Sequence, residues 1–304
     1  MHALVIAAFA VSTAVAQVPE GSTPPPMVPA TPAAAVPAPA QAPARATAAP
    51  ATFSAADRNA ANIAAEGDAR WALVGASTAA GISLYAWILP NALNINLVTN
   101  PTQFAGVYLL TGAASFFVPF TLTLNAPISW GAANLFFAGA FNGAFHAQLF
   151  LTMIKYVEDI NNFTFQPRAA VTFAFGAAEA AGGLLWASMT GMTAGEAHSV
   201  IVGSNIGLGI GLSIGSIFIA SSSTFDWLQL QVPCGLAMAG VAGGAVAGAF
   251  VGPWLHLTWG DAELLQLSSA LGAYVTVPFI SWAGATDSRA YATLAILGSA
   301  GGAV

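Results

Sequence analysis

The sequence predicts an all-α integral membrane protein, a bundle of about seven transmembrane helices followed by a truncated eighth. Only 6% of its 304 residues are charged and its mean hydropathy is +0.72, whereas soluble domains have about 25% charged residues. Its apolar residues form runs of about 20, the length of helix that crosses a hydrocarbon core of ~30 Å. These runs lack the alternation of a transmembrane β-strand. The predicted spans are roughly 71–90, 104–124, 131–154, 169–190, 197–220, 228–250 and 262–283.

A short motif, glycine followed by Asp, Glu or Ala and then by alanine, recurs at the start of four of these runs. We call each copy an opener. A second apolar run lies between successive openers, so the predicted repeat unit is a helical hairpin of about 64 residues. The openers begin at Gly67, Gly131, Gly195 and Gly260, with spacings of 64, 64 and 65 residues.

Small residues follow the openers at helical spacing and predict glycine-zipper packing. A small residue lies eight positions after each opener glycine and another lies twelve positions after it. Small residues at i and i+4 leave a groove on one helix face, in which a neighbouring backbone can approach closely. The predicted helix-packing residues are Gly75, Gly139, Gly143, Gly203, Gly207, Gly211, Gly240 and Gly244.

The N-terminal part divides into three segments before the membrane domain at 71–304. Residues 1–16 are predicted to be a signal peptide, because an apolar run is followed by Ala14-Val15-Ala16, although the basic residues usual at its start are missing. Residues 17–53 contain ten of the 18 prolines and are predicted to be a disordered Pro/Ala-rich tether. Residues 54–70 are predicted to be a short polar helix, with Ser54 and Asp57 spaced as a capping box.

The orientation follows from the tail and from the basic residues. A translocated tail places the openers outside the cytoplasm, and Lys155, Arg168 and Arg289 then fall in cytoplasmic loops, as the positive-inside rule requires. Arg58 and Arg70 lie on the outer side of the first span and count against this orientation. Tryptophans near the ends of the runs are typical of an aromatic belt. We therefore expect a multi-pass protein of a bacterial inner membrane with a periplasmic N-terminal tail.

Few polar residues enter the predicted spans, and each is a candidate for function. Glu179 and His146 lie 10 and 8 residues from the cytoplasmic ends of consecutive spans, which places them roughly 15 and 12 Å deep. An antiparallel hairpin would bring them to one level. Asn142 lies one turn from His146, and Asn205 has a similar place in the third repeat. The pair is either a proton or ion site or an interhelical hydrogen bond that fixes packing.

Other chemistry is not expected from the residues present. Gly211-Leu212-Ser213-Ile214-Gly215 matches a hydrolase nucleophile motif, but that motif needs a strand–turn–helix context. The single cysteine, Cys234, excludes an internal disulfide framework and a metal site built from a cluster of cysteines. His198 and His256 are predicted to be solvated outer-loop groups. We expect no enzyme activity, no catalytic residue, no metal or other cofactor and, with a net charge of -6, no nucleic-acid partner.

Two classes of function remain open at this stage. The first is a structural or scaffolding protein, whose partners are the lipid bilayer and, through its small-residue faces, other membrane helices or a second copy. The alternative is a small transporter or channel that uses Glu179 and His146 as an intramembrane proton or ion site.

The end of the sequence predicts that the chain is part of a longer protein. The run that begins at Arg289 is about 16 residues long at Val304, whereas a span needs ~20 residues. The repeat places a further opener near residue 324. The alternative is a natural half-span that is covered by protein.

Overall fold

The computed structural model describes residues 54–154, 165–219, 230–282 and 287–303. The predicted signal peptide (1–16) and tether (17–53) lie outside the described residues. Within these ranges every regular element is a helix, which confirms the all-helical prediction. We name the helices α1 (Ala55–Glu66), α2 (Arg70–Ala92), α3 (Pro101–Leu122), α4 (Trp130–Met153), α5 (Phe165–Thr190), α6 (Ala194–Ile219), α7 (Gln231–Leu255), α8 (Trp259–Trp282) and α9 (Ser288–Gly302).

Within the described residues, each predicted span overlaps one helix from α2 to α8, and the run after Arg289 overlaps α9; residues 220, 228, 229 and 283 of the predicted spans lie outside the described residues. Five helices of the described chain are long and apolar enough to cross a bilayer, namely α2, α3 and most or all of α5, α6 and α7. This composition indicates a protein embedded in a membrane.

Helix α4 is not among those five, although it has 24 residues. Asn134, Asn142, His146 and Gln148 lower its mean hydropathy. The helix instead occupies the middle of the bundle, where it contacts α2, α5, α6 and α7. Twelve of its residues are buried, and most of these are Ala, Gly and Leu. The neighbouring helices therefore surround a long helix that carries four polar side chains.

Consecutive helices form the closest pairs, α4 with α5, α6 with α7 and α8 with α9. In each pair, backbones meet where side chains are smallest. A Cβ atom built on Gly207 or Gly244 would lie less than 3.0 Å from backbone of the partner helix. At one level of the three pairs, the contacts are Gly143 with Gly176, Gly207 with Gly240 and Gly272 with Gly298. One helical turn away, the contacts are Gly139 with Ala180, Gly203 with Gly244 and Ser268 with Gly302.

Two of the predicted packing residues, Gly211 and Gly75, differ in what a Cβ atom would meet. Gly211 also abuts backbone, at Leu236 and Ala237 of α7. Gly75 departs from the prediction, because a Cβ atom there would meet nothing within 4 Å. In the first hairpin α2 turns a different face to its neighbours, with Leu73 and Val74 buried.

The four openers lie at one end of the bundle. Ala69 N–H donates to the Ile128 carbonyl at 2.8 Å, and Ile128 N–H donates to the Asp68 carboxylate at 3.0 Å. Gly131 and Gly195 lie directly against the backbone of Met192 and of Leu257, respectively. Each of the first three openers thus contacts the turn that precedes the next one.

The starts of α6 and α8 carry the carboxylates that the openers predict. Glu196 accepts from Thr193 N–H at 3.0 Å, and Asp261 accepts from Thr258 N–H at 2.9 Å. In return, the threonine hydroxyls accept from the N–H groups of Glu196 and Asp261. These reciprocal bonds satisfy N–H groups that a helix start would leave unpaired.

Helix α1 lies across this end of the bundle, against the turn between α5 and α6. Its side chains bond backbone groups there: Asn62 Nδ2 donates to the Gly191 carbonyl at 3.0 Å, and the Glu66 carboxylate accepts from Ala194 N–H at 3.2 Å. Gly191 has a φ of +65°, and Arg58 leaves no room for a Cβ atom there. At its own start, α1 has the expected capping box between Ser54 and Asp57.

We expect Gly244→Ala to destabilise the protein relative to the matched variant Gly243→Ala. Both substitutions raise helix propensity equally, but a Cβ at 243 meets nothing within 4 Å, whereas a Cβ at 244 overlaps the Gly203 carbonyl. Overpacking of this kind costs about 1–3 kcal/mol. The pair Gly182→Ala and Gly183→Ala repeats the comparison on α5. Thermal unfolding in detergent measures the difference, and equal stability within each pair would contradict the packing.

We also expect the start of α1 to lose protection in acid. Hydrogen bonds from Ser54 to the Asp57 carboxylate hold the pKa of Asp57 below its ordinary value. The pKa of Asp in an unfolded chain is about 3.9. The stabilisation is therefore complete above that pH and disappears as the pH falls through the lower pKa that Asp57 has in the folded state. Amide exchange protection of residues 55–58 measures the effect. Asp57→Asn should abolish this pH dependence, and an unchanged dependence in that variant would contradict its origin.

Candidate functional site

His146 of α4 and Glu179 of α5 face each other inside the bundle. The His146 Nδ1 atom lies 2.9 Å from both carboxylate oxygens of Glu179. The His146 side chain is buried, at 6% exposure, and that of Glu179 is 33% exposed. The helix-rise argument from the sequence, which placed the two residues at one depth, is thus correct for this pair.

Glycines on both sides of the pair set this distance. Gly139 lies against the backbone of Glu179 itself, and Gly143 lies against the backbone of Gly176. Because no side chain separates the two helices at these levels, the backbones are close enough for the imidazole and the carboxylate to bond directly. The packing residues and the polar pair are therefore parts of one interface.

Tyr85 adds a third polar group from α2, which sequence reasoning missed. Its hydroxyl donates to the Ala140 carbonyl, and its ring packs edge-on against Phe173 with centroids 5.5 Å apart. A Cβ atom on Gly176 would overlap the Tyr85 hydroxyl, so that glycine makes room for it. Tyr85 ends a π-helical segment, Gly81–Tyr85, and such segments change the direction of the side chains that follow.

A second polar cluster joins α4 and α5 nearer the other end of the bundle. Arg168 Nε donates to Gln148 Oε1, and Gln148 Nε2 donates to Thr172 Oγ1 at 2.6 Å. The Thr172 hydroxyl in turn donates to the Arg168 carbonyl. The positive-inside rule points to Arg168 as a cytoplasmic residue, whereas no sequence pattern points to its partner Gln148.

The two candidate asparagines are not joined to the pair by a hydrogen bond in the described part of the chain. Asn142 is half-buried on α4, one turn before His146. Asn205 lies on α6, and its Nδ2 atom is buried without a hydrogen-bond partner among the described residues. Asn134 Nδ2 on α4 is in the same situation.

The prediction that His198 is a solvated loop group is wrong. His198 lies in the first turns of α6 with 7% exposure. Its Nε2 atom is 3.0 Å from Glu263 Oε1, and its ring stacks on Trp259 with centroids 4.6 Å apart. A signal for this contact was present, since His198 and Glu263 are each the third residue after an opener glycine. His256 is exposed and ends α7, as expected.

The His146–Glu179 contact has the geometry of a hydrogen bond or an ion pair. A neutral imidazole can donate from Nδ1 to a carboxylate, and a protonated imidazole forms an ion pair with it. The described residues include no group of three or more His, Cys, Asp or Glu side chains that could hold a metal ion.

These features define a class, a membrane-embedded helical bundle in which a buried histidine contacts a half-buried glutamate at one of the helix interfaces. Comparison with protein families, with curated proteins and with solved structures finds no match for this chain.

We expect His146 and Glu179 to be energetically coupled. Interhelical hydrogen bonds in membrane proteins contribute on average about 0.6 kcal/mol and at most about 1.7 kcal/mol. A double-mutant cycle with His146→Ala and Glu179→Ala, followed by unfolding in mixed micelles, measures this coupling free energy. Additive effects of the two substitutions would show that the contact does not stabilise the fold.

Proposed function

We propose that this chain is a multi-pass structural protein of a bacterial inner membrane, with a scaffolding role. Its membrane domain consists of about 64-residue helical-hairpin repeats, with seven spans and a further partial one, packed by glycine zippers. The observation that carries the proposal is the matching set of backbone contacts in α4–α5, α6–α7 and α8–α9. Three helix pairs with contacts at the same repeat positions form a regular platform.

Two further observations support a structural role. Backbone-to-backbone packing leaves little space between the paired helices, since even a methyl group at Gly203 or Gly240 would overlap the partner. In addition, α1 binds the turn between α5 and α6 through side chains, which anchors the segment that follows the predicted tether. We propose that residues 1–16 direct export and that residues 17–53 extend from this platform into the periplasm.

The proposed topology places the openers and α1 in the periplasm and the opposite loops in the cytoplasm. Exposed positions at the two ends test it in a Cys234→Ala background: Asn125→Cys on the opener side, and Thr99→Cys and Asp287→Cys on the other. We expect an impermeant thiol reagent to label only Asn125→Cys in spheroplasts, and all three variants after lysis. Labelling of the other two in intact spheroplasts would overturn the topology.

A proton or ion transporter is the second candidate, and the 2.9 Å His146–Glu179 contact favours it. Intramembrane carboxylates that face another helix are frequent in proton pathways. Tyr85 brings a hydroxyl from a third helix into the same region.

Proton flux in proteoliposomes separates the two candidates. We expect the folded full chain to give no proton or ion flux above that of empty liposomes, because the structural role needs no pathway. Flux that is present in the wild type and lost in Glu179→Gln would favour the transporter and contradict the structural proposal. The matched control is Glu263→Gln, which removes the other carboxylate paired with a histidine.

A further inference from the structure

A groove of about 420 Å³ lies at the opener end of the bundle, between α1, α5, α6 and α7. This volume is in the range of about 300–1,000 Å³ that small-molecule sites occupy. Its polar lining lies near the helix ends: Arg58 on α1, Thr190 at the end of α5 and Glu196 in the first turn of α6. Its apolar lining includes Trp186, Val246 and Phe250. Val246 is nine residues before the end of α7, about 13 Å deeper at 1.5 Å per residue.

The two charges of the groove are opposite, and they do not pair with each other. Arg58 is exposed and has no ion-pair partner within 4 Å among the described residues. Glu196 bonds Thr193 N–H through one oxygen. Burial raises the pKa of Glu66, and the nearby charge of Glu196 adds to the shift. The groove thus has one positively charged side chain, Arg58, in a region that also contains the carboxylates of Glu196 and Glu66.

The apolar lining continues on the exposed face of α7. Phe250 is 74% exposed, and it also lines a second groove of about 270 Å³ with Val251 and Trp254. Trp254 is 78% exposed near the end of α7, which is where aromatic side chains anchor at a membrane interface. Phe250 therefore lines two neighbouring grooves, one of which also has a polar lining.

We propose that this groove binds one zwitterionic phospholipid of the phosphatidylethanolamine class. The Arg58 guanidinium holds the phosphate, a pairing that suits its fork of donors. The Glu196 carboxylate accepts from the lipid ammonium. The acyl chains lie in the two grooves on either side of Phe250. An anionic lipid without an ammonium group is disfavoured, because it leaves the Glu196 carboxylate without a cation and because Glu196 and Glu66 repel its phosphate. The proposal is independent of the structural role and requires only that the helices lie in a bilayer.

Lipid titration of the delipidated full chain in detergent tests the site, with native mass spectrometry as the readout. We expect phosphatidylethanolamine to bind more tightly than phosphatidylglycerol and phosphatidylcholine of the same chain length, since only its ammonium has N–H donors. Arg58→Gln should weaken binding about tenfold, or ~1.4 kcal/mol. The matched control is Arg70→Gln, which removes an arginine bonded to Phe120 and Thr123 on the same end, outside the groove.

A second variant tests the headgroup preference. Glu196→Gln keeps a side-chain oxygen that can cap α6, and we expect it to abolish the preference for phosphatidylethanolamine over phosphatidylglycerol. Circular dichroism of each variant checks that the helices are retained. Equal binding of the three lipids by the wild type, a preference for phosphatidylglycerol, or equal effects of Arg58→Gln and Arg70→Gln would each overturn the proposal.

Discussion

The direct approach of helix backbones at glycine positions is the interaction on which the rest of the structure depends. Lipid chains are as apolar as leucine, so helices in a bilayer gain nothing from hydrophobic burial against one another. They associate instead through dispersion contacts and weak hydrogen bonds, both of which require short distances. Glycines on both partners provide these distances in α6–α7, and the same levels recur in α4–α5 and α8–α9.

The polar groups of the bundle depend on the same packing. His146 and Glu179 bond across α4 and α5 because Gly139 and Gly143 remove the side chains between the two backbones. Tyr85 reaches this interface because Gly176 leaves space for its hydroxyl. A buried imidazole or carboxylate without a partner would be costly in lipid. Close packing therefore stabilises the helices and also allows the central helix to carry polar residues.

Much of this arrangement follows from the sequence because it depends on local periodicity. Apolar runs define the helices, and the constant rise of a helix places His146 level with Glu179. Local periodicity does not predict which residues of a helix face a partner helix. Helix rise alone does not show that Gly244 faces a partner and Gly243 does not, nor that Gly75 faces open space. The π-helical segment before Tyr85 shifts the phase of α2, which a strict 3.6-residue period misses.

The burial of α4 has a consequence for biogenesis. Insertion of a helix by the translocon is favoured by its mean apolarity, and polar residues near the helix centre oppose it. With His146 and three amide side chains, α4 is not apolar enough to qualify as a membrane span by itself. Its partner α5 provides the carboxylate that bonds the histidine and the glycines that receive its backbone. Retention of α4 beside the translocon until α5 has been synthesised would let both helices enter the lipid as a pair, so the order of synthesis would itself assist assembly.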